Sequence, residues 1–324
     1  PKELVKYGAI YTTYGLVFGP MNAFASQLTD PRVRQLFWCL FSPQLAQANN
    51  TASFSLTLNP DLERWFLALE QDSQPLYHYL EQRNHRLLGS YFECLWQFFF
   101  EFNPDWQLLA HNIQVIENKQ TLGELDILAS HKRTGATHLE LAVKFYLQHP
   151  HHDGALSKHW LGPQCRDRLD IKLGKLNDRQ FPFLRHSAAM NALMERQLTA
   201  PSQQGLVLKG YLFNQWQNPF TLPLEANKQC LMGQWLHESN IGQLVKGHEN
   251  WLIIEKPQWL GAVISSTDSQ SPLLSANQAA STVQKHFLQS LHKHALMLVK
   301  MQKKDEHFIE FQRFLVVNND WPSS

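Results

Sequence analysis

Apolar residues recur at helical spacing through the first hundred residues of the chain. Asp30-Pro31 is a helix start, because aspartate caps the free N–H groups of a first turn and proline suits its first position. Apolar residues at positions 33, 36, 37 and 40 follow at the spacing of one helix face. Residues 61–69 repeat the pattern, and residues 89–102 are so apolar that the helix predicted there is buried on most sides.

From residue 105 the pattern changes to short strands separated by polar turns. Residues 105–115, 123–129 and 138–147 are predicted strands, and Thr134-Gly135 marks the turn of a hairpin between the last two. A predicted helix at 166–179 and a strand at 206–213 follow. The order of helix, three strands, helix and strand predicts an α/β fold of the α+β kind, with a mixed central sheet flanked by helices.

Three regions are predicted along the chain. Residues 1–84 form an N-terminal helical region, and residues 85–215 form the core with the strands described above. A linker is expected near residues 191–204, where the run from Thr199 to Gln204 is polar. Residues 216–324 contain strand-like runs at 251–255, 295–301 and 311–317 and a helical run at 281–292, which predict a C-terminal α+β accessory region.

Composition narrows the class of protein without naming a partner. Hydrophobic residues make up 44% of the 324, which is ample for a core. No stretch approaches the roughly 18 apolar residues of a membrane-spanning helix, so no membrane partner is expected. With 29 basic and 28 acidic residues the net charge is +1, so any surface that attracts nucleic acid has to be local.

The N-terminal segment resembles an export signal only in part. Lys2 and Lys6 precede the would-be apolar region at residues 7–19, and Ala23-Phe24-Ala25 resembles a signal-peptidase site. Threonines and tyrosines dilute that apolar region. The four cysteines are far apart, without a C-x-x-C pair, which argues against a zinc knuckle and against a disulfide framework. A cytoplasmic protein with reduced cysteines is expected.

Candidate chemistry is concentrated in the hairpin formed by the second and third predicted strands. Side chains alternate along a strand, so Glu124 and Asp126 share one face, as do Glu140 and Lys144 on the next strand. In ordinary hairpin register these four side chains converge on one patch. Carboxylates on rigid strands suit Mg²⁺, a hard cation that keeps several waters for a substrate phosphate. A solvated face with an incidental Glu–Lys pair is the alternative interpretation.

A basic stripe is predicted on the helix that follows. Seven basic and three acidic residues lie between Leu156 and His186, although the chain as a whole has no such excess. Four of the cations step along the helix by four, three and four residues and therefore share a face: Arg168, Lys172, Lys175 and Arg179. Such a stripe suits contacts with a nucleic-acid backbone, and an ordinary solvated helix face is the alternative.

Other familiar motifs are absent or weak. The chain has no Gly-rich phosphate loop, so nucleotide cofactors are not expected, and no G-x-S-x-G elbow for a serine hydrolase. The run from His149 to His152 resembles a transition-metal cluster, but Pro150 prevents a helix that would aim its histidines together. A loop that is merely rich in histidine is the preferred interpretation.

The hairpin motifs resemble those of the PD-(D/E)XK nuclease superfamily, which has the restriction-endonuclease-like fold. The resemblance rests on Gly-Glu-x-Asp at 123–126, the hairpin, and a following strand that ends in Lys144. The runs at 123–126, 139–147 and 160–170 more closely resemble an uncharacterised bacterial domain-of-unknown-function family placed in that superfamily. The nuclease-like part covers about residues 85–215. The resemblance implies Mg²⁺- or Mn²⁺-dependent hydrolysis of phosphodiester bonds in DNA, or else in RNA.

Roles for individual residues follow from this resemblance. Asp126 corresponds to the metal-binding aspartate and Lys144 to the motif lysine. Glu93 matches a helical acid that many members carry, and Gln180 falls where some members have a polar residue facing the site. Glu124 is a further acid that would assist the metal.

The chain departs from the superfamily pattern at one position. The acid expected two residues before the lysine is Ala142, and Glu140 lies two residues further back, roughly 6.6 Å along the strand. Glu140 is therefore the second expected metal ligand, in place of an acid at 142. Three hypotheses remain. One is a working metal-dependent nuclease, and another is an inactive nuclease-fold module that binds nucleic acid or a protein partner. The third is a structural or interaction protein with no nucleic-acid role, which agrees with a net charge near zero.

Overall fold

The structure is a computed structural model that describes residues 23–48, 52–83, 85–266, 273–289 and 294–323. Four helices come first and pack together: α1 (Pro31–Phe41), α2 (Pro60–Gln71), α3 (Gln74–Glu81) and α4 (Leu88–Phe102). As predicted, α1 begins at the Asp30 cap, whose carboxylate accepts hydrogen bonds from the N–H groups of Arg32 and Val33. Three further helices of seven or more residues lie among the described residues: α5 (Leu169–Lys175), α6 (Ser187–Glu195) and α7 (Ala276–Gln289).

One sheet runs through the described part of the chain. Its strands are β1 (Trp106–Glu117), β2 (Gln120–His131), β3 (Gly135–Gln148), β4 (Trp160–Leu161), β5 (Gln203–Gln215), β6 (Leu231–His237), β7 (Asn250–Ile254), β8 (Ile264–Ser266), β9 (Leu296–Lys304) and β10 (His307–Val317). The spatial order is β1-β2-β3-β5-β6-β10-β9-β7, with β4 paired to β3 and β8 to β10. Strands β3, β5, β6 and β10 are parallel, and antiparallel strands flank them on both sides.

Helices cover both faces of this sheet, and β3 divides its side chains between them. Leu139, Leu141 and Phe145 pack in the main core with α1–α4, whereas Ala142 and Tyr146 pack in a second cluster with Leu169 and Leu173 of α5. The alternation of a strand explains this division. Helix α6 covers β1 and β2, and α7 covers β7, β9 and β10. The predicted mixed α/β architecture with flanking helices is confirmed.

Some predicted elements need correction. The expected linker at 191–204 contains the second half of α6. The helix predicted at 166–179 is regular only over Leu169–Lys175 and continues as a π-turn over Leu176–Gln180. The strands of the predicted C-terminal accessory region add directly to the sheet of the core through the parallel pairing of β5 with β6.

An early segment of the chain completes the edge of β5 that β6 does not reach. The N–H of Leu45 donates to the carbonyl of Leu208 at 2.7 Å, and the N–H of Phe54 donates to that of Leu206 at 2.9 Å. The side chain of Gln44 accepts from the N–H of Leu208 at 2.8 Å, across 164 residues of sequence. Residues 44–48 and 52–54 therefore join the N-terminal helices to the middle of the sheet.

Two expectations concern membrane-spanning helices and an export signal. None of the described helices is long and apolar enough to cross a membrane. Most of the segment that resembles an export signal, residues 1–22, lies outside the described residues.

Candidate functional site

Strands β2 and β3 part at Asp126. Their antiparallel ladder runs from His131↔Gly135 to Ile127↔Leu139 and ends there. The next ladder position is taken by a side chain, because Oδ2 of Asp126 accepts a hydrogen bond from the N–H of Leu141 at 2.8 Å. The predicted placement of Asp126 and Glu140 on adjacent antiparallel strands is confirmed, and the opening between these strands is where the candidate site lies.

Glu140 is buried beneath the segment that follows α5. Its side chain is 1% exposed, and its Oε2 accepts a hydrogen bond from Nε2 of Gln180 at 2.9 Å. Oε1 of Gln180 in turn accepts from Nζ of Lys172 at 3.0 Å. The π-turn over Leu176–Gln180 carries Gln180 to this position. The structure therefore brings Gln180 to Glu140, as the resemblance implies, and adds Lys172 behind it.

His138 is a further member of the site that the sequence analysis did not include. Its Nε2 lies 3.3 Å from Oε1 of Glu140, yet neither atom completes a hydrogen bond although both are buried. Burial lowers the pKa of His138 to about 4, against the opposing influence of Asp126, so the imidazole is neutral at pH 7. The available signal was its position two residues before Glu140, on the same face of the strand.

Two acids with strongly raised pKa values define the electrostatics of the site. Burial and, after it, the nearby Glu140 raise the pKa of Asp126 to about 8, while the hydrogen bond from the Leu141 N–H opposes the shift. Burial also raises the pKa of Glu140 to about 8, against the attraction of Lys172. The two acids therefore lie where solvent stabilises their ionised forms poorly.

Glu93 and Glu124 approach the same region from α4 and β2. Asn112 of β1 links them, because its Nδ2 donates to Glu124 at 2.7 Å and lies 3.4 Å from a carboxylate oxygen of Glu93. Asn112 has a φ of +49°, which Asn tolerates better than most residues. Burial, together with the charge of Glu124, raises the pKa of Glu93. Both acids act electrostatically on Glu140, so the four carboxylates form one cluster.

Lys144 faces elsewhere. Its Nζ makes an ion pair with Asp167 at 2.6 Å, in the loop between β4 and α5. Gly210 of β5 lies against the same residue, and a Cβ at Gly210 would stand 1.7 Å from the carbonyl oxygen of Lys144. Lys144 therefore does not make the expected contact with the carboxylates. The lysine linked to Glu140 is Lys172, through Gln180.

The predicted basic stripe does not form a single exposed helix face. Arg168 precedes α5 and is paired with Asp170 at 2.6 Å. Lys172 is half-buried, and burial together with the charge of Lys144 lowers its pKa. Lys175 and Arg179 are exposed, but the π-turn between them alters the helical spacing on which the prediction relied. The stripe is broken because the side chain of Lys172 points into the site, where it donates a hydrogen bond to Gln180.

The residues present fit a divalent cation in part. In the described ranges no group of three or more His, Cys, Asp or Glu side chains is arranged to hold a metal ion. Asp126 and Glu140 nevertheless offer oxygen donors, and Oε1 of Glu140 is buried without a hydrogen-bond partner. Mg²⁺ is commonly held by one or two carboxylates, with waters and substrate phosphates completing its shell. The pair suits such a site, in which the protein supplies few ligands.

In the histidine-rich loop, several imidazole rings contact one another. Ring centroids of His149 and His152 lie 4.3 Å apart, and those of His152 and His159 lie 4.6 Å apart in a stacked arrangement. The Nδ1 of His159 contacts the carbonyl of Asp153 at 2.8 Å. These rings pack against one another, and among the described residues they form no group arranged to hold a metal ion.

Comparison with known proteins gives one match. Neither the curated proteins nor the solved structures yield a match. A family profile described as "Domain of unknown function (DUF1853)" matches residues 34–317, which include the helices and strands from α2 to β10 and eight of the eleven residues of α1. By this match over most of its length, the chain belongs to the DUF1853 family.

Proposed function

We propose that this protein hydrolyses phosphodiester bonds of nucleic acid, DNA or RNA, with the help of a divalent cation. The observation that carries the proposal is the pair formed by Asp126, which is half-buried, and Glu140, which is buried, at the point where β2 and β3 part. Like charges that share a buried site are costly unless a proton or a cation compensates them. The resemblance of residues 123–126 and of the following hairpin to the PD-(D/E)XK nucleases supports the choice of reaction.

Asp126 and Glu140 are the residues that would hold the cation. Mg²⁺ or Mn²⁺ bound there would act as a Lewis acid on the phosphate and orient the attacking water. Both carboxylates have to be ionised for this role. With pKa values near 8 in the metal-free protein, binding of a cation displaces protons from the pair.

Gln180 and Lys172 are proposed as positioning residues. Gln180 holds one oxygen of Glu140, which fixes the orientation of the carboxylate. Lys172 holds Gln180 and is half-buried, so its positive charge is weakly screened by solvent at this point. That charge offsets the negative charge that accumulates on phosphate oxygens during hydrolysis.

A second candidate function is a binding module that retains the fold without catalysis. Two observations favour it: alanine occupies position 142, and three protein ligands are not gathered in the described residues. Such a module would bind nucleic acid or a protein partner at the same face. The two candidates differ in whether wild-type protein cleaves.

Cleavage assays separate the two candidates. Labelled single-stranded and duplex DNA and RNA are incubated with the purified chain in Mg²⁺, Mn²⁺ or EDTA. Wild type is expected to cleave at least one substrate only with metal, and Glu140→Gln to lower the rate by more than about 100-fold, in line with the cost of perturbing metal sites. Glu117→Gln, an exposed acid at the end of β1, is the matched control and retains full rate.

Each outcome decides between the alternatives. Absence of cleavage by wild type on all four substrates would eliminate the nuclease and leave the binding module. Cleavage that survives Glu140→Gln undiminished would move the reaction to another part of the molecule.

A further inference from the structure

A cavity of about 260 Å³ opens beside β3, four residues along the strand from Glu140. Its charged lining residues are Lys144, Arg166, Lys256 and Asp167. Phe145 and Trp259, both nearly buried, also line it, with ring centroids 5.1 Å apart. We call this cavity, defined by those six residues, the basic cleft.

The basic cleft exists because β3 lacks a neighbouring strand at this point. On the side of β2 and β4, β2 pairs with β3 only as far as Leu139, and β4 pairs with it only from Leu147. The N–H of Leu141 points to this open edge, where Asp126 accepts it. Since backbone groups alternate along a strand, the N–H groups of Val143 and Phe145 point to the same edge, and both residues line the cleft.

The charge of the basic cleft is positive, although the chain as a whole is nearly neutral. Three cations and one carboxylate line it, which leaves a formal charge of +2. The carboxylate of Asp167 is already engaged, through one oxygen with Lys144 at 2.6 Å and through the other with the N–H of Arg168 at 2.9 Å. Arg166 and Lys256 are exposed at its rim.

The two walls of the cleft come from distant parts of the chain. Gln164, in the loop between β4 and α5, lies 3.0 Å from Nδ1 of His294 through its Nε2. Lys256 begins the 3-10 turn Lys256–Trp259, in the C-terminal half. The cleft is therefore a feature of the whole fold and is absent from the nuclease-like segment taken alone.

We propose that the basic cleft binds a backbone phosphate of the nucleic-acid strand whose scissile phosphate reaches Asp126 and Glu140. Backbone N–H groups and unpaired cations together are the chemistry that recognises a phosphate oxyanion. From Glu140 to Lys144 the strand advances roughly 13 Å, so the bound phosphate lies a few nucleotides from the site of hydrolysis. Only one part of this proposal, the position of the scissile phosphate, rests on the proposed function.

Binding is tested in EDTA, so that no cation occupies the acid pair. The full chain is titrated into a fluorescein-labelled 20-nucleotide DNA, single-stranded and as a duplex, and anisotropy is measured at several salt concentrations. Arg166→Ala combined with Lys256→Ala is expected to weaken binding at least roughly tenfold and to reduce the salt slope by about two, because two phosphate contacts are lost. Both residues are exposed, so circular dichroism and the melting temperature stay unchanged.

The matched control removes the same charge elsewhere. Lys303→Ala combined with Lys304→Ala alters two exposed lysines at the end of β9 that do not line the cleft. This variant is expected to keep the wild-type affinity and slope. Equal losses in both variants, or none in the cleft variant, would overturn the proposal. Tight binding of inorganic pyrophosphate without binding of DNA would also overturn it, since the cleft would then serve a free phosphate.

Failure of this proposal is distinguishable from failure of the proposed function. If wild type never cleaves and the Arg166→Ala, Lys256→Ala variant binds DNA more weakly than wild type, only the nuclease proposal is refuted. If wild type cleaves and this variant binds DNA as tightly as wild type, only the cleft proposal is refuted.

Discussion

Two pairs of ionisable side chains lie in the same sheet, and their surroundings are opposite. Arg313 of β10 is 2% exposed and makes two hydrogen bonds to Glu310, at 2.7 and 2.8 Å, and one each to the carbonyls of Trp259 and Gly261. Its guanidinium also lies over the ring of Tyr211, 4.6 Å from the centroid. The pair of Asp126 and Glu140 brings two acids together and leaves a buried oxygen of Glu140 without a partner.

The contrast separates a structural use of charge from a functional one. Burial disfavours the charge of Arg313, but Glu310 outweighs it and the pKa of Arg313 is raised, so the ion pair is complete within the protein. The acid pair is incomplete until a proton or a cation arrives. Four experiments test this contrast between the two pairs.

The largest effect is expected from breaking the complete pair. Glu310→Ala leaves the guanidinium of Arg313 buried without its carboxylate and should lower the free energy of unfolding by about 3–5 kcal/mol. Urea denaturation at pH 7 measures the loss. Adding Arg313→Met to the same chain removes the stranded charge and should recover part of the stability. A loss below about 1 kcal/mol would show that Arg313 reaches solvent.

The next effect concerns the alanine where the nuclease motif has an acid. Ala142 is 7% exposed and packs against Leu169 and Leu173 of α5. Ala142→Glu places a bulky carboxylate in this cluster and should destabilise the protein by about 2–4 kcal/mol. Ala142→Ser, a much smaller change, is the control for the unfolding measurement. Equal stability of wild type and Ala142→Glu would mean that α5 moves aside readily.

A divalent cation should complete the acid pair. At about 100 times its dissociation constant, Mn²⁺ is expected to stabilise the protein by about 2.7 kcal/mol at pH 8. The effect should be smaller at pH 6, because the acids have pKa values near 8 and protons compete with the metal. Thermal unfolding with and without Mn²⁺ measures it. Asp126→Asn should abolish the shift and Glu117→Gln should preserve it, and a shift that survives Asp126→Asn would refute the assignment.

The smallest effect is the pH dependence of the metal-free pair. The pKa of Glu140 rises from 4.5 to about 8 on folding, so the folded state holds its proton more tightly, and stability is lost as pH rises through that window. Glu140→Gln removes this loss. The variant should match wild type near pH 4.5 and be the more stable of the two at pH 9 in EDTA. Urea denaturation at the two pH values provides the measurement, and a difference that is independent of pH would contradict it.

Hydrophobic periodicity was sufficient to predict the helix and the strands that surround the acid pair. The apolar run of α4 and the alternation in β2 and β3 place Asp126 and Glu140 on neighbouring strands. Strand β6 escaped prediction because Gly233 interrupts it. That glycine is required by packing, since a Cβ there would stand 2.5 Å from Phe213.

Side-chain partners across loops were beyond the reach of a one-dimensional pattern. Alternation put Lys144 on the face of Glu140, but the loop after β4 supplies Asp167, which pairs with Lys144 instead. Helical spacing put Lys172 in an exposed stripe, whereas the π-turn folds Gln180 back so that Lys172 is drawn to the interior. Both differences depend on tertiary contacts that local sequence does not encode.

The pairing of Gln44, Leu45 and Phe54 with β5 has a consequence for synthesis of the chain. The partners Gln44 and Leu208 are separated by 164 residues. At about 5–20 residues per second, a ribosome needs on the order of 8–30 s to make that interval. During this time the apolar faces of α1–α4 lack some of the strands that cover them in the folded protein, so hydrophobic surface stays exposed on the nascent chain.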